Sequence, residues 1–567
     1  EVEPGMPLLR HDEDRPRSLV AELDPRLEAL LDAARRYPAL LPEDAQREIL
    51  KWLPTLQPRV RIEIPKRMRG KRVELETKLI ARLDPLDGGG LRVELGVRPF
   101  GHGALNPAGY GPETVFGFVG DERVHAERDL RAERAAAERL RAELQLHEAD
   151  ADGPSAFRIP DLEESLLLLE RLHEQGVPVE WPEGKVGLSL HRTLGADDLR
   201  VRVSSLGRLL SVEGEATVDD EGTRIPLAAL LDAVKRGRRY VRLSDGGFSR
   251  IEEELRRLLE RTRGVVYEDE EGLIAGIAAA GELESLASEV RSLEGDEAYR
   301  ALLSRLRDAE ARDPELPPEF RAELRSYQRD GYRFLSNLAS WAGGAVLADE
   351  MGLGKTVQTL AVLVERASEG PSLVVAPTSV LANWAEEARR FAPSLDVVIL
   401  HGRDRRKLLD DAGPQKLFIT SYDLLVRDVD ALAEVRFVGF VLDEAQSVKN
   451  RRTQRAKAAA RIDASFRFAL TGTPLENHLG ELYSIVDLVL PGLLGNARHF
   501  RDHYALPIEK AGNEERREAL LEVLRPFLLR RTKQIVAPEL PPKIEVVHPV
   551  ELSDAERLLY ETARREI

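Results

Sequence analysis

A glycine-rich turn followed by lysine and threonine is the first part of the sequence from which chemistry can be inferred. Residues 347–358 read LADEMGLGKTVQ. Gly354, Lys355 and Thr356 match the end of the phosphate-binding pattern G-x-x-x-x-G-K-[ST], while Asp349 stands where the first glycine is expected. In such a loop the lysine contacts the β- and γ-phosphates, and the threonine hydroxyl binds Mg²⁺. The segment therefore predicts a site for ATP and Mg²⁺.

An acidic pair at the end of a later apolar run supplies the second requirement for nucleotide hydrolysis. Residues 437–444 read FVGFVLDE. We expect Asp443 to bind Mg²⁺, directly or through water, and Glu444 to orient and activate the attacking water. An Asp-Glu pair after a strand is more often a helix cap, but its position after a phosphate-binding loop favours catalysis. The predicted catalytic residues are Lys355, Asp443 and Glu444, and the predicted metal ligands are Thr356 and Asp443.

The elements that must position these residues are short apolar runs that alternate with helical stretches. These runs cover residues 343–349, 372–377, 395–400, 416–421, 437–444 and 466–472. Apolar strands separated by helices predict an α/β fold, with a parallel sheet covered on both faces. Ligands of such sheets lie at the carboxyl ends of the strands. The loop before Lys355 would then join a strand to a helix N-terminus, where backbone N–H groups favour phosphate.

Composition limits the class of protein. The chain of 567 residues is long enough for several domains, and it has no cysteine, which excludes disulfide scaffolds and cysteine-ligated metal sites. No run approaches the ~18 apolar residues of a membrane span, and the N-terminus is charged, so we expect a cytoplasmic protein without a membrane partner. Basic and acidic residues are equal in number from Arg321 onward, so the net charge of −16 belongs to the first 320 residues. A polyanion should therefore meet the C-terminal half, through basic clusters at 403–407 and 449–457.

The first half predicts an α+β accessory region. Residues 72–82 and 91–98 flank a turn at Asp87 and indicate an antiparallel hairpin. Residues 121–147 have the composition of a solvated surface helix. We place one accessory region at 1–150 and a second at 151–318, before a proline-rich linker.

Seven segments of the second half occur together in the order found in one known family. They are LRSYQRDGYRFL (324–335), LADEMGLGKTVQ (347–358), LVVAPTSVLANWAEE (373–387), ITSYDLL (419–425), VLDEAQSVKN (441–450), ALTGTPLEN (469–477) and FLLRRTK followed by ELPPK (527–543). The chain from Arg321 onward resembles the Swi/Snf ATPases, a DEAD/DEAH-like branch of helicase superfamily two. The resemblance is to the prokaryotic type.

The resemblance implies roles for individual residues. In that family Asp349 is a common variant of the phosphate loop, and Gln328 would contact the adenine edge. Thr471, Gly472 and Thr473 would couple the nucleotide state to DNA. The resulting nucleotide-binding set is Gln328, Asp349, Gly352, Gly354, Lys355 and Thr356.

Candidate DNA contacts come from two segments. Thr378, Asn383 and Trp384 belong to a segment that in the family lies near the tracked strand. Lys449, Asn450, Arg451 and Arg452 form the start of the basic cluster that follows the acidic pair, although a solvated charged face remains an alternative for both basic clusters. Phosphate contacts of Arg and Lys carry no base sequence, so the expected binding is independent of DNA sequence.

The resemblance also implies an arrangement of domains, in which the accessory region at 151–318 is helicase-associated. We expect a RecA-like ATPase lobe at 319–490, a helical protrusion at 491–545, and at 546–567 the start of a connection to a second lobe. Since arginines of that second lobe complete the ATP site in the family, we expect this chain alone to hydrolyse ATP weakly.

These observations lead to one main functional prediction and two alternatives. The main prediction is a bacterial, nucleoid-associated DNA-dependent ATPase that translocates on double-stranded DNA and displaces or remodels a bound protein such as RNA polymerase. One alternative is a strand-separating helicase or the motor of a DNA-modification or phage-defence system. The other is a nucleotide-gated DNA-binding scaffold without turnover.

Overall fold

The computed structural model describes ten stretches of the chain, which form two compact units. The described residues are 8–11, 18–21, 69–120, 122–147, 150–182, 184, 187–219, 222–472, 479–536 and 551–566. The first unit contains the chain up to Leu194 together with 217–225 and 233–252. The second unit contains 195–216, 226–232 and the chain from Glu253 onward.

The first unit is built around the predicted hairpin. Strands Leu79–Pro85 and Leu91–Val97 pair antiparallel, with Leu83 opposite Val93. Alternate residues of both strands are buried, as expected for strands with one face on a core. The sheet continues through Val179–Glu180 on one side and through Ala156–Ile159 and Ala151–Gly153 on the other, and Asn106–Pro107 pairs with Leu91–Val97. The predicted hairpin is thus confirmed.

The segment predicted as one charged helix over 121–147 is part strand and part helix. Glu122–Glu127 is a strand that pairs with Thr114–Val119, and the helix begins only at Leu130 and ends at Glu143. Asp129 caps this helix by accepting hydrogen bonds from the backbone N–H groups of its first turn. The prediction of a continuous helix was therefore wrong, because a capping aspartate separates the two elements.

The other elements of the first unit are short. Helix Leu162–Glu174 packs on the sheet, and further strand pairs lie outside it. These pairs are Leu8–His11 with Ser18–Ala21, Lys71–Arg72 with Glu122–Glu127, and Tyr240–Arg242 with Phe248–Arg250. Because the strands at 151–159 complete a sheet that begins before residue 80, the structure does not divide the chain at the boundary predicted at 150.

The second unit begins with a small α+β module. Its sheet has the strand order Val266–Asp269, Gly272–Gly276, Leu209–Thr217, Leu199–Leu206 and Ser292–Gly295. Its helices are Glu253–Val265, Ala280–Leu286 and Glu297–Ala311. Strand Arg224–Pro226 and helix Leu227–Lys235 follow strand Leu209–Thr217 in the sequence. Of the residues predicted to form the accessory region at 151–318, those at 195–216, 226–232 and 253–318 therefore belong to the same compact unit as the ATPase lobe, and the others belong to the first unit.

The ATPase lobe contains a parallel sheet of seven strands. In chain order they are β1 (Gly344–Leu347), β2 (Ser372–Ala376), β3 (Asp396–Ile399), β4 (Lys416–Ser421), β5 (Phe437–Leu442), β6 (Ala464–Leu470) and β7 (Leu528–Leu529). Their order across the sheet is β3-β4-β2-β5-β6-β1-β7, and all of the pairs are parallel. The predicted parallel α/β fold and its six apolar strands are confirmed, whereas β7 was not predicted.

Helices connect these strands, as parallel pairing requires. They are α1 (Ser326–Trp341), α2 (Lys355–Glu365), α3 (Leu381–Phe391), α4 (Tyr422–Ala433), α5 (Gln454–Arg461) and α6 (Leu479–Val489). Every residue of β1, β2 and β5 is buried, which explains why these strands are continuous apolar runs in the sequence.

Short helices follow α6 and lead to β7. They are Ala497–Phe500, a π-helical turn Arg501–Ala505, Leu506–Ala511 and Glu514–Leu524. The buried hydroxyl of Tyr504 donates to the backbone oxygen of Gly264 at 3.1 Å and so joins this helical segment to the α+β module. Two further helices, Lys533–Val536 and Asp554–Glu566, end the described part of the chain, in which no helix has the length and apolarity that a membrane span needs.

Glycine at the start of β1 is required by the close approach of another backbone. A Cβ atom at Gly344 would lie 2.0 Å from the backbone oxygen of Val489, whereas a Cβ at Gly480, near the start of α6, would meet nothing within 4 Å. We expect Gly344→Ala to lower the free energy of unfolding by about 1–3 kcal/mol, as overpacking does. Gly480→Ala should be neutral or slightly stabilising. Urea unfolding of both variants tests this, and equal midpoints would contradict it.

Candidate active site

The phosphate-binding loop connects β1 to α2. Gly352 and Gly354 have positive φ angles of 86° and 79°, a conformation that side chains other than glycine rarely adopt. A Cβ at Gly354 would also lie 2.5 Å from Nε2 of Gln328. The loop ends where α2 begins at Lys355, so the unpaired N–H groups of the first helical turn are available to phosphate oxygens.

Gln328 holds the loop from α1. Its Oε1 accepts a hydrogen bond from the backbone N–H of Arg325 at 3.0 Å, and its Nε2 donates to the backbone oxygen of Leu353 at 3.2 Å. The side chain is thus fixed beside the loop. Contact with adenine stays a prediction.

Lys355 lies among the carboxylates of the site. Its Nζ donates to the backbone oxygen of Asp349 at 2.7 Å. Burial lowers the pKa of Lys355, and the nearby charges of Glu444, Asp349 and Asp443 act in the opposite direction. The loop and the acidic pair, separated by almost ninety residues in sequence, therefore meet in space as predicted from their positions after parallel strands.

Asp349 forms a buried ion pair. Its side chain is fully buried, and its carboxylate pairs with the guanidinium of Arg531, whose Nε donates to Oδ1 at 3.0 Å. The backbone N–H of Arg531 donates to the same oxygen at 3.1 Å. The aspartate that replaces the first glycine of the general pattern thus has its carboxylate engaged by Arg531, and its contact with a nucleotide stays a prediction.

Arg531 is a site residue that the sequence reasoning missed. Its guanidinium also donates to Oε1 of Gln358 at 2.8 Å and to the backbone oxygen of Tyr327. The arginine was quoted within the segment FLLRRTK, but its role depends on the parallel pairing of β7 with β1, which places residue 531 beside Asp349. A two-residue strand has no periodicity from which it could be predicted.

Asp443 follows β5 and is held by two hydrogen bonds to its carboxylate. The indole N–H of Trp384 donates to Oδ2 at 2.8 Å, and the backbone N–H of Glu444 donates to Oδ1 at 2.9 Å. The hydroxyl of Tyr422 donates to the backbone oxygen of Asp443 at 2.7 Å. Burial raises the pKa of Asp443, and the hydrogen bond from Trp384 opposes this rise.

Glu444 is connected to the end of β6 through a glutamine. Glu444 has a left-handed backbone with a φ of 48°, and its Oε2 accepts a hydrogen bond from Nε2 of Gln446 at 2.7 Å. Oε1 of Gln446 accepts one from the hydroxyl of buried Thr471 at 3.2 Å. Thr471 is thus linked to Glu444 through Gln446, while Gly472 follows it and Thr473 lies outside the described residues.

The predicted DNA contacts occupy different environments. Thr378 and Asn383 are exposed, but Trp384 is only 2% exposed and is engaged with Asp443, which differs from the expected position on a DNA surface. The reason is that Trp384 lies on the inward face of α3. Its packing and its hydrogen bond make it part of the hydrolytic site.

The basic residues after Asp443 are exposed and partly paired. Lys449 forms an ion pair with Glu481 at 2.8 Å, and Arg451 forms one with Asp487 at 3.0 Å. Asn450 accepts a hydrogen bond from the backbone N–H of Arg452. Exposed pairs contribute little to stability, so Lys449 can exchange Glu481 for phosphate. Arg451 is held more firmly, because Asp487 is only 22% exposed and Arg451 also donates to the hydroxyl of Tyr483 at 2.9 Å. In the second cluster, Arg405 and Arg406 both bind the buried carboxylate of Asp428, which favours a structural role there.

The donors at the site suit Mg²⁺. The hydroxyl of Thr356 and the carboxylate of Asp443, predicted from the sequence as metal ligands, would offer two oxygen atoms, at a helix start and after a strand end. In the described part of the chain no group of three His, Asp or Glu side chains could hold a metal ion alone. Mg²⁺ is commonly bound in this way, by one or two protein oxygens together with phosphates and water.

A parallel sheet with a phosphate loop after β1 and an acidic pair after β5 defines a RecA-like nucleotide-hydrolase lobe. Comparison with known proteins agrees with this: residues 327–567, less than half of the chain, match the SNF2-related domain. This part of the chain is therefore a homologue of the Swi2/Snf2 ATPase core, which confirms the resemblance seen in its motifs.

Several relatives are similar to the ATPase part of this chain. The putative ATP-dependent helicase/translocase YwqA of Bacillus subtilis is 41% identical over 272 residues, which are 46% of this chain and 30% of YwqA. The chromatin-remodeling ATPase INO80 of Arabidopsis thaliana is 36% identical over 44% of this chain and 18% of its own length. The matched region thus spans less than a third of these relatives.

A solved structure is also similar. It is the Sulfolobus solfataricus SWI2/SNF2 ATPase core in complex with double-stranded DNA, with 39% sequence identity and a TM-score of 0.38. The match covers 45% of this chain and 54% of that one.

The ion pair between Asp349 and Arg531 leads to a prediction that runs against the general phosphate-loop pattern. Asp349→Gly restores the first glycine of the phosphate-loop pattern. The variant also removes the anionic partner of Arg531, whose side chain is nearly buried. We expect the variant to lose about 3–5 kcal/mol in the free energy of unfolding. The double variant Asp349→Gly, Arg531→Met should regain much of this loss, since no buried charge is then unpaired. Chemical unfolding measures both, and a single variant as stable as the parent would contradict the assignment.

Proposed function

We propose that this protein is a DNA-dependent ATPase that translocates on double-stranded DNA without reading its sequence, and that it displaces or remodels a DNA-bound protein. The observation that carries the proposal is the meeting of Lys355 with Asp443 and Glu444 beside a phosphate-binding loop. This arrangement would provide the groups that bind a nucleoside triphosphate and direct water to it.

Each residue has a role that follows from its position. Lys355 would leave the backbone oxygen of Asp349 and bind the β- and γ-phosphates, since a phosphate offers a stronger, charge-assisted bond. Glu444, held by Gln446, would orient and activate the attacking water. Mg²⁺ held by Thr356 and Asp443 would neutralise charge on the phosphates.

The candidate DNA contacts follow the strands that adjoin the catalytic site. Thr378 and Asn383 come after β2, and Lys449 to Arg452 come after β5. Since β2 and β5 are neighbouring parallel strands, their carboxyl ends lie at one edge of the sheet. Exposed polar and basic groups at this edge would bind the DNA backbone next to the site of hydrolysis, which provides a direct route for DNA to affect the ATPase.

Translocation and protein displacement draw their support from the relatives. YwqA is named a putative helicase/translocase and INO80 a chromatin-remodeling ATPase. A motor that holds the DNA backbone and steps with each ATP hydrolysed would push against any protein in its path, RNA polymerase among them. A nucleoid-associated location in the bacterial cytoplasm is part of the same proposal.

The test is phosphate release by the full-length natural protein at fixed salt, without DNA and with single-stranded or duplex DNA. We expect strong stimulation by duplex DNA, because the proposed contacts bind the backbone of the tracked duplex. Lys355→Ala should abolish the activity at every DNA concentration, because the variant lacks the ammonium group that would bind the phosphates. Absence of stimulation by either DNA would reject the translocase and leave a scaffold without DNA-driven turnover.

A further inference from the structure

Trp384 contacts Asp443 from a helix that contains none of the predicted catalytic residues. It lies on α3, which follows β2, and its side chain is 2% exposed. Its indole N–H has one hydrogen to donate, and it donates that hydrogen to Oδ2 of Asp443 at 2.8 Å. Leaving such a buried donor without an acceptor would cost about 1–3 kcal/mol, so the packing of α3 and the orientation of the carboxylate depend on each other.

The two hydrogen bonds of Asp443 together define the plane of its carboxylate. Trp384 donates to Oδ2, and the backbone N–H of Glu444 donates to Oδ1. A carboxylate has about four lone-pair positions, so each oxygen keeps one for a metal ion or for water. The second shell of a metal ligand commonly acts in this way, fixing orientation without occupying the metal.

Trp384 also joins this carboxylate to the exposed start of α3. Asn383 is its immediate neighbour in the chain and is exposed, whereas Trp384 and Ala385 are buried. A helix moves as a rigid element, so a force applied to Asn383 displaces the indole as well. Within one helical turn, Asn383 therefore faces the proposed DNA surface and Trp384 faces the proposed metal ligand Asp443.

We infer that Trp384 is a positioning residue that fixes the carboxylate of Asp443 and connects it to the DNA-facing start of α3. The inference rests on the proposed function, since it assigns the tryptophan to Mg²⁺-dependent hydrolysis stimulated by DNA. It also explains why a tryptophan is needed here, because phenylalanine fills much of the same space but has no N–H.

The contact itself can be tested without activity. The chain has four tryptophans, and labelling with ¹⁵N-tryptophan gives each indole N–H its own NMR signal. In the metal-free protein we expect Asp443→Ala to shift the signal of Trp384 and leave that of Trp341 in place. Added duplex DNA should also shift the Trp384 signal more than the Trp341 signal. If the Trp384 signal is unchanged in Asp443→Ala, Trp384 does not position the carboxylate of Asp443. If bound DNA does not shift the Trp384 signal, Trp384 does not connect that carboxylate to a DNA-facing surface.

The functional consequence is tested with a matched pair of variants. Trp384→Phe removes the N–H, and Trp341→Phe makes the same change at another buried tryptophan of the lobe. We expect Trp384→Phe to raise the half-saturating Mg²⁺ concentration for ATP hydrolysis by roughly tenfold or more, as loss of a second-shell partner does. The KM for ATP at saturating Mg²⁺ should change little, because Lys355 and the loop remain.

The control variant separates positioning from packing. Trp341→Phe should leave the Mg²⁺ dependence unchanged even if it lowers stability. Equal Mg²⁺ dependence in Trp384→Phe and the parent would overturn the inference. If the parent shows no DNA-stimulated hydrolysis, the proposed function fails, and the NMR measurement still decides whether Trp384 holds Asp443.

Discussion

The parallel direction of the seven ATPase strands is the constraint on which the site depends. Because all of these strands run the same way, segments that are far apart in sequence meet at one edge of the sheet. The phosphate loop follows β1, exposed Asn383 comes after β2, the acidic pair follows β5, and Thr471 follows β6. The buried apolar strands supply the rigidity, and the polar residues after them supply the chemistry.

Hydrogen bonds and an ion pair then fix the residues that the sheet brings together. Arg531 reaches Asp349 only because β7 adds to the sheet beside β1, so the segment that follows β7 directly supports the phosphate loop. On the other side, Trp384 holds Asp443 from α3, and Gln446 links Glu444 to Thr471. Asp349, Asp443 and Glu444 are thus each held by a residue from another part of the lobe.

The sequence predicted the ATPase lobe well, because its signals are local. Strand, glycine turn and helix around Lys355 are contiguous, and β5 is an unbroken apolar run that ends in Asp443. The roles of Asp349, Arg531 and Trp384 depend on contacts between distant segments, which no pattern within one segment reveals. For the same reason the charged stretch at 121–147 was predicted as one helix, although Asp129 divides it into a strand and a capped helix.

Binding of ATP to this loop is the claim on which hydrolysis, DNA stimulation and the role of Trp384 all rest. The most direct measurement is calorimetric titration of the chain with a slowly hydrolysed ATP analogue and Mg²⁺, in parallel with Lys355→Ala. The structure predicts saturable binding with one nucleotide per chain, and loss of most of the affinity in the variant. Absence of binding by the parent, or equal binding by Lys355→Ala, would contradict the account.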